Sequence, residues 1–146
     1  MLNTPILIVG GGPVGMNLAL DLSWRDVPCI LINNLETTPN HPQGNTHNAR
    51  TMEHYRRLGL AEKIRKVGLP IDHSGDAIIV TRINGYELCR IKIPSLLERL
   101  TPGSIDLKMG PEPLHRASQM FVEGILKSEN ADAIYSLILE EDTKFI

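Results

Sequence analysis

Cysteine is scarce in this chain. The two present, Cys29 and Cys89, cannot make a disulfide framework. Cys29 lies in an apolar run, where it behaves as a small hydrophobe, and a reducing, cytoplasmic location is expected. An excess of charge of either sign is also lacking: fifteen basic against seventeen acidic residues leave a net charge of -2, so neither nucleic acid nor an anionic membrane surface is expected as a partner. No apolar run approaches the roughly 20 residues that span a bilayer. The opening Met1-Leu2-Asn3-Thr4-Pro5 has no basic region or cleavage site of a signal peptide. The histidines, His41, His47, His54, His73 and His115, do not fall at metal-ligand spacing, and no metal site is expected. No Ser-His-Asp or Cys-His pairing emerges, so covalent catalysis has no support. Internal repeats and low-complexity segments are lacking as well.

What is present is the composition of an ordinary globular domain, 42% hydrophobic and 22% charged, in a chain of 146 residues that can bury a core. Ile6-Leu7-Ile8-Val9 is a short β-branched run stopped by three glycines, the pattern of a strand buried on both faces of a parallel sheet. Pro13 suits the first turn of a helix, and Val14, Leu18 and Leu22 recur at four-residue intervals, which predicts about three turns. A second apolar run, Cys29 to Ile32, ends at Asn33-Asn34 and completes a βαβ unit. Residues 37–46 read as a loop. Asn48 or Thr46 can cap a helix over Ala49 to Leu58, with Met52, Tyr55 and Leu58 on one side and Gly59 as its stop. Ala77 to Ile83 and Glu87 to Ile93 flank Asn84-Gly85, which predicts an antiparallel hairpin closed by a tight turn with positive φ angles. Residues 94–113 carry four prolines and two glycines and are expected to wander over the surface, with one helical turn at Leu96 to Leu100. Ser118 to Lys127 is expected to be helical, with Phe121, Ile125 and Leu126 on one face, and Ala133 to Leu139 to be a strand.

Gly10-Gly11-Gly12-Pro13-Val14-Gly15 matches G-x-G-x-x-G. By itself such a match is weak, but this one directly follows a strand and opens a helix within a unit of about 30 residues. Gly10 permits the sharp turn, Gly12 lets backbone approach a pyrophosphate, and Gly15 lets the helix lie close on the strands. The helix N-terminus then faces the anion with unpaired N–H groups and the positive end of its dipole. The acid that usually holds the ribose about 20 residues on is missing, and Asn33 stands in its place. A neutral amide makes a weaker hydrogen bond to a hydroxyl than a carboxylate does. Glu36 reads as a solvated loop acid.

The run Ile6 to Leu22, then Gly44-Asn45-Thr46-His47-Asn48-Ala49-Arg50-Thr51-Met52-Glu53, Arg57-Leu58-Gly59-Leu60, and His115-Arg116-Ala117-Ser118-Gln119-Met120-Phe121-Val122-Glu123 resembles the class A flavoprotein monooxygenases, most closely the phenol hydroxylase and hydroxyphenylpropionate hydroxylase branch. The resemblance implies FAD as cofactor, NAD(P)H as electron donor, O₂ as oxidant and an aromatic, phenol-type substrate. It implies that Gln119 reaches the ribityl or pyrophosphate region of the flavin and that residues 42–48 pass over the same part. It also implies an acid where Asn33 stands and a phosphate-pairing arginine where Gln43 stands, two departures at contacts with FAD. Arg50 and Arg116 are further candidates for phosphate or flavin contact, against the plainer reading of surface arginines.

The fold expected is therefore α/β: a Rossmann-like βαβ domain with a parallel sheet, interrupted by an antiparallel hairpin insertion and incomplete relative to the family. One domain is expected over 1–146, with the βαβ unit, loop and helix in 1–70, the insertion and irregular segment in 71–113, and a returning helix and strand in 114–140. The second glycine-aspartate motif and most of the aromatic pocket of the family lie beyond this length. The chain thus reads as a truncated or partial one, unable to turn over a phenol alone and paired with a missing C-terminal half or a second copy. The competing readings are a non-catalytic remnant serving as a nucleotide-binding or interaction module, and a domain whose primary ligand is NAD(P).

Overall fold

A computed structural model describes residues 4–34, 40–41, 43–104, 110–130 and, as backbone, 135–138. In chain order the elements are β1 (Ile6–Val9), α1 (Pro13–Trp24), β2 (Cys29–Asn33), β3 (Thr46–His47), α2 (Ala49–Arg57), α3 (Ala61–Lys66), β4 (Ala77–Val80), β5 (Glu87–Ile91), α4 (Leu96–Leu100), β6 (His115–Arg116), α5 (Gln119–Glu129) and β7 (Tyr135–Ile138). β2 is the centre of a three-stranded parallel sheet, with β1 on one edge, Ile6 opposite Cys29, and β7 on the other, Ile30 opposite Tyr135. Parallel strands need a crossover, and α1 supplies the one between β1 and β2.

The core forms where α1 and α5 lie on the sheet and α2 and α3 close the side. Ile8, Met16, Ala19, Cys29, Leu31, Met52, Tyr55, Ile64, Val122 and Leu126 are buried in one cluster. A buried amide ties two helices together: Asn130 Nδ2 donates to the Leu126 carbonyl at 2.6 Å and to the Met16 carbonyl at 3.3 Å. α2 starts where Asn48 Oδ1 accepts from the Thr51 N–H at 2.8 Å, so Asn48, not Thr46, is the cap. Gly59 stops it at φ +74°, and the Leu60 N–H returns to the Tyr55 carbonyl at 2.7 Å. α4 forms on a capping box, Ser95 and Glu98 each accepting from the other's backbone N–H.

Several expectations need correction. β1 is buried on one face only, since Leu7 and Val9 are exposed at 55% and 69%. In α1 the inward residues are Met16 and Ala19, whereas Val14 and Leu18 face outward, so the four-residue stripe that reveals the helix is not its buried stripe. Phe121 is likewise exposed, while Leu126 is buried as expected and α5 buries Val122 and Glu123 beside it. The hairpin of β4 and β5 is antiparallel, with a register shift at Ile79/Val80, but shorter than its β-branched runs. Its turn is not the expected positive-φ type, because Gly10, Gly59, Gly103 and Asp26 are the residues with positive φ among those described. The Arg82 carbonyl accepts from the Gly85 N–H at 2.8 Å, and Thr81 Oγ1 accepts from the Tyr86 N–H at 3.0 Å, which makes a wider end that needs no left-handed residue. Asp76 anchors the hairpin's open end by accepting from the Ile93 N–H and from Arg90, both at 3.0 Å, and these bonds hold its carboxyl below the usual range. Residues 35–39, 42 and 105–109, which include Glu36 and Pro42, lie outside the described residues.

Candidate functional site

The glycine turn is built on the end of β2. Gly10, at φ +114°, turns the chain out of β1 and donates its N–H to the Ile32 carbonyl at 2.8 Å. Gly15 sits where a Cβ would come within 2.0 Å of the Gly10 carbonyl oxygen and 3.3 Å of Ile8 Cγ2, so the helix passes too close for any side chain. Gly12 is the N-cap of α1, in extended backbone and with no side-chain cap, and Pro13 follows in the first turn. The first helical hydrogen bond runs from the Met16 N–H to the Gly12 carbonyl at 3.0 Å. The N–H groups of Gly12, Val14 and Gly15 therefore lie ahead of the ladder, where a helix leaves its donors for a ligand. A Cβ on Gly12 would meet nothing within 4 Å, and no acidic residue occupies the first turn. Open space, free amides and the positive end of a dipole suit a pyrophosphate, and Val14, 84% exposed, does not cover them.

Asn33 ends β2 beside this turn, and its Oδ1 accepts from the Gly11 N–H at 3.1 Å. The side chain is packed against Gly11, where a Cβ would lie 2.8 Å from Asn33 Cγ. A fingerprint leaves Gly11 as a free position, so this requirement cannot be read from the motif.

The second group of candidates meets at a corner between two distant segments. β3 pairs antiparallel with β6, Thr46 opposite Arg116 and His47 opposite His115. Next to this pair the Gln119 N–H donates to the Gly44 carbonyl at 2.9 Å. The Gln119 side-chain amide donates to Glu123 Oε1 at 2.6 Å, and a Cβ on Gly44 would come within 3.2 Å of Gln119 Oε1. Glu123 is buried and was not among the expected site residues; its spacing of four from Gln119 on a helix is the only signal for it. His47 Nε2 lies 3.2 Å from the Ala117 carbonyl, and burial lowers its pKa, partly offset by that carbonyl. His115 is only 3% exposed. Burial, then the charges of Arg65 and His47, push its pKa down to about 4 against a partial restoring bond to the Ile64 carbonyl. Gly68 must be glycine here, because a Cβ would lie 2.0 Å from His115 Nε2.

Of the remaining candidates, Arg116 in β6 contributes its backbone to the corner. Gln43 is exposed. Arg50, with a side chain 75% exposed, pairs with Glu53 at 2.7 Å. The carbonyl of Arg116 accepts from the Leu69 N–H at 2.9 Å, and among the described residues its guanidinium makes no ion pair.

Comparison with known proteins agrees with this geometry. The FAD binding domain family matches residues 3–144. The chain belongs to that family. The FAD-dependent monooxygenase apdD of Emericella nidulans is 31% identical over 125 residues, which are 84% of this chain and 20% of that protein. The phenol 2-monooxygenase of a Pseudomonas species is 32% identical over 90 residues, 62% of this chain and 15% of that protein. Among solved structures, the rebeccamycin biosynthetic enzyme RebC with reduced flavin superposes with a TM-score of 0.79 at 38% identity, over 91% of this chain and 25% of that one. This FAD-binding domain thus spans about a seventh to a quarter of the length of such relatives, which include monooxygenases named for phenol and 2,4-dichlorophenol. Among the described residues no helix is long and apolar enough to cross a membrane.

Proposed function

We propose that this chain is the FAD-binding portion of a flavin-dependent monooxygenase that hydroxylates a phenol-type aromatic with NAD(P)H and O₂ in a reducing, cytoplasmic setting. The observation that carries the reading is the Gly10–Gly15 turn: its amides open onto free space at Gly12, while Gly15 allows the close approach of helix to strand. Gly12, Val14 and Gly15 would hold the pyrophosphate through their N–H groups, and Gln119, anchored to Gly44 and Glu123, would line the adjoining stretch of cofactor. The bound flavin would supply the redox chemistry, and the protein its position and its shielding from water. A phenol would be bound mainly by polypeptide outside these residues. Leu7, Val9, Ile78, Ile79, Ile83, Tyr86 and Leu88 are exposed, the apolar surface expected where a further layer packs.

A second reading, a non-catalytic nucleotide-binding remnant, is favoured by one observation: the groups that would grip FAD by charge are not directed to it, with Arg50 paired to Glu53 and an amide at Asn33. The two readings part in one assay. In the purified chain supplied with FAD, the expected outcome is no phenol-stimulated oxidation of NADPH, with stimulation appearing once the part of a relative that lies outside the matched region is supplied as a second polypeptide. Stimulation by the chain alone contradicts the claim that the pocket lies elsewhere, and failure of both arms favours the remnant.

A further inference from the structure

We propose that Asn33 is a positioning residue for the nucleotide, acting through the Gly11 peptide that it latches rather than as the acceptor for a ribose hydroxyl. The inference rests on the reading that the glycine turn takes the pyrophosphate of FAD. Two consecutive amides of the turn are held by two consecutive residues of β2: the Gly10 N–H by the Ile32 carbonyl at 2.8 Å and the Gly11 N–H by Asn33 Oδ1 at 3.1 Å. The second bond extends the sheet's hydrogen bonding past the point where backbone partners end, using a side chain as the last rung. Because the Gly11 N–H is a donor, the atom facing it must be the oxygen, which fixes the orientation of the amide. That oxygen is committed to the turn before any ligand arrives.

The packing repeats the hydrogen bond. A Cβ on Gly11 would lie 2.8 Å from Asn33 Cγ and 2.9 Å from its Cβ, so the side chain is seated flat on the Gly11 backbone, and neither residue can change without the other responding. Gly10 and Gly12, by contrast, have no atom within 4 Å of where a Cβ would be. In a run of three glycines with φ of +114° at the first and a helix beginning directly after the last, the middle peptide is the one with no regular structure to hold it. The latch supplies that restraint and presents the Gly12 and Val14 amides in a fixed direction, which removes an ordering cost at binding.

The test separates a latch from a ribose contact by using ligands with and without ribose. Calorimetric titrations with FAD and with inorganic pyrophosphate would compare the parent chain with Asn33→Ala, Asn33→Asp, Gly11→Ala and the Gly11→Ala/Asn33→Ala pair. The size of one net hydrogen bond sets the expected loss at about fivefold to tenfold. Asn33→Ala is expected to weaken both ligands by that similar factor. Asn33→Asp, which still accepts from Gly11, restores pyrophosphate binding, and the double variant is no weaker than Gly11→Ala alone. Loss of FAD with pyrophosphate unchanged in Asn33→Ala makes Asn33 a ribose acceptor and overturns the proposal, as do unchanged affinities for both. Hydrogen exchange of the Gly11 amide in the ligand-free chain reads the latch independently: slow in the parent, fast in Asn33→Ala, and slow again in Asn33→Asp. Fast exchange in the parent also overturns it. A parent that binds neither ligand while its Gly11 amide exchanges slowly defeats the functional reading and leaves the latch standing as structure.

Discussion

At the scale of single residues, the site is governed by what cannot be added to it and by one base that the fold keeps uncharged. His115 is buried, and its pKa is pushed from 6.5 to about 4. Between those values the unfolded chain takes up a proton that the folded chain refuses. Its contribution to stability is therefore complete above about pH 6.5 and is lost as the pH falls through 4. The full span corresponds to an upper bound of roughly 3 kcal/mol. Chemical denaturation at a series of pH values is expected to show this decline, and His115→Gln to flatten most of it; an equal slope in both proteins would contradict the assignment. Gly10, Gly12 and Gly15 were legible in the sequence because each does something a fingerprint encodes, a turn, an approach or a close crossing. Gly11, Gly68 and Glu123 were not. The demands on Gly11 and Gly68 come from residues brought against them by folding, Asn33 from 22 positions away and His115 from 47, whereas Glu123 shows only the i,i+4 spacing to Gln119 that any helix offers. In the sequence Asn33 stands where an acid is expected, whereas its geometry makes it a partner of the turn.

At the scale of elements, patterns that depend on neighbours in sequence were readable and patterns that depend on the opposite side were not. The βαβ start, the helix after Asn48 and the Leu96–Leu100 turn follow from β-branched runs, caps and stops, and all form as expected. The Asn48 cap can be weighed directly. Asn48→Ala removes the acceptor for the Thr51 N–H and is expected to lower stability by about 1 kcal/mol, read from urea midpoints at constant slope. A change under a few tenths would mean that tertiary packing of Met52 and Tyr55 alone sets the start of α2. The outward faces of β1, α1 and α5 mislead because Leu7, Val14 and Phe121 carry core-like side chains into solvent. A sequence reports that such residues want burial; it does not report which layer provides it. The hairpin turn misleads for another reason: Thr81 and Arg82 close the loop by their own hydrogen bonds, so Asn84-Gly85 is spared the positive φ that this dipeptide allows.

At the scale of the whole molecule, the corner that joins Gly44 to Gln119 has the least local signal and depends most on the fold. Thr46-His47 and His115-Arg116 are two-residue strands about 70 positions apart, too short for any period to show, and only the resemblance to flavin monooxygenases links their motifs in advance. The parallel sheet and the α1–α5 packing behind it carry the glycine turn that is proposed to hold one end of the dinucleotide. The account stands or falls on that turn. The most direct measurement is a fluorescence titration of FAD with the purified chain and with Gly15→Ala, whose Cβ would strike the Gly10 carbonyl at 2.0 Å. The account predicts a saturable change in flavin emission with the parent chain and none with a folded Gly15→Ala variant. Emission that never changes, or binding that survives the substitution undiminished, would contradict it.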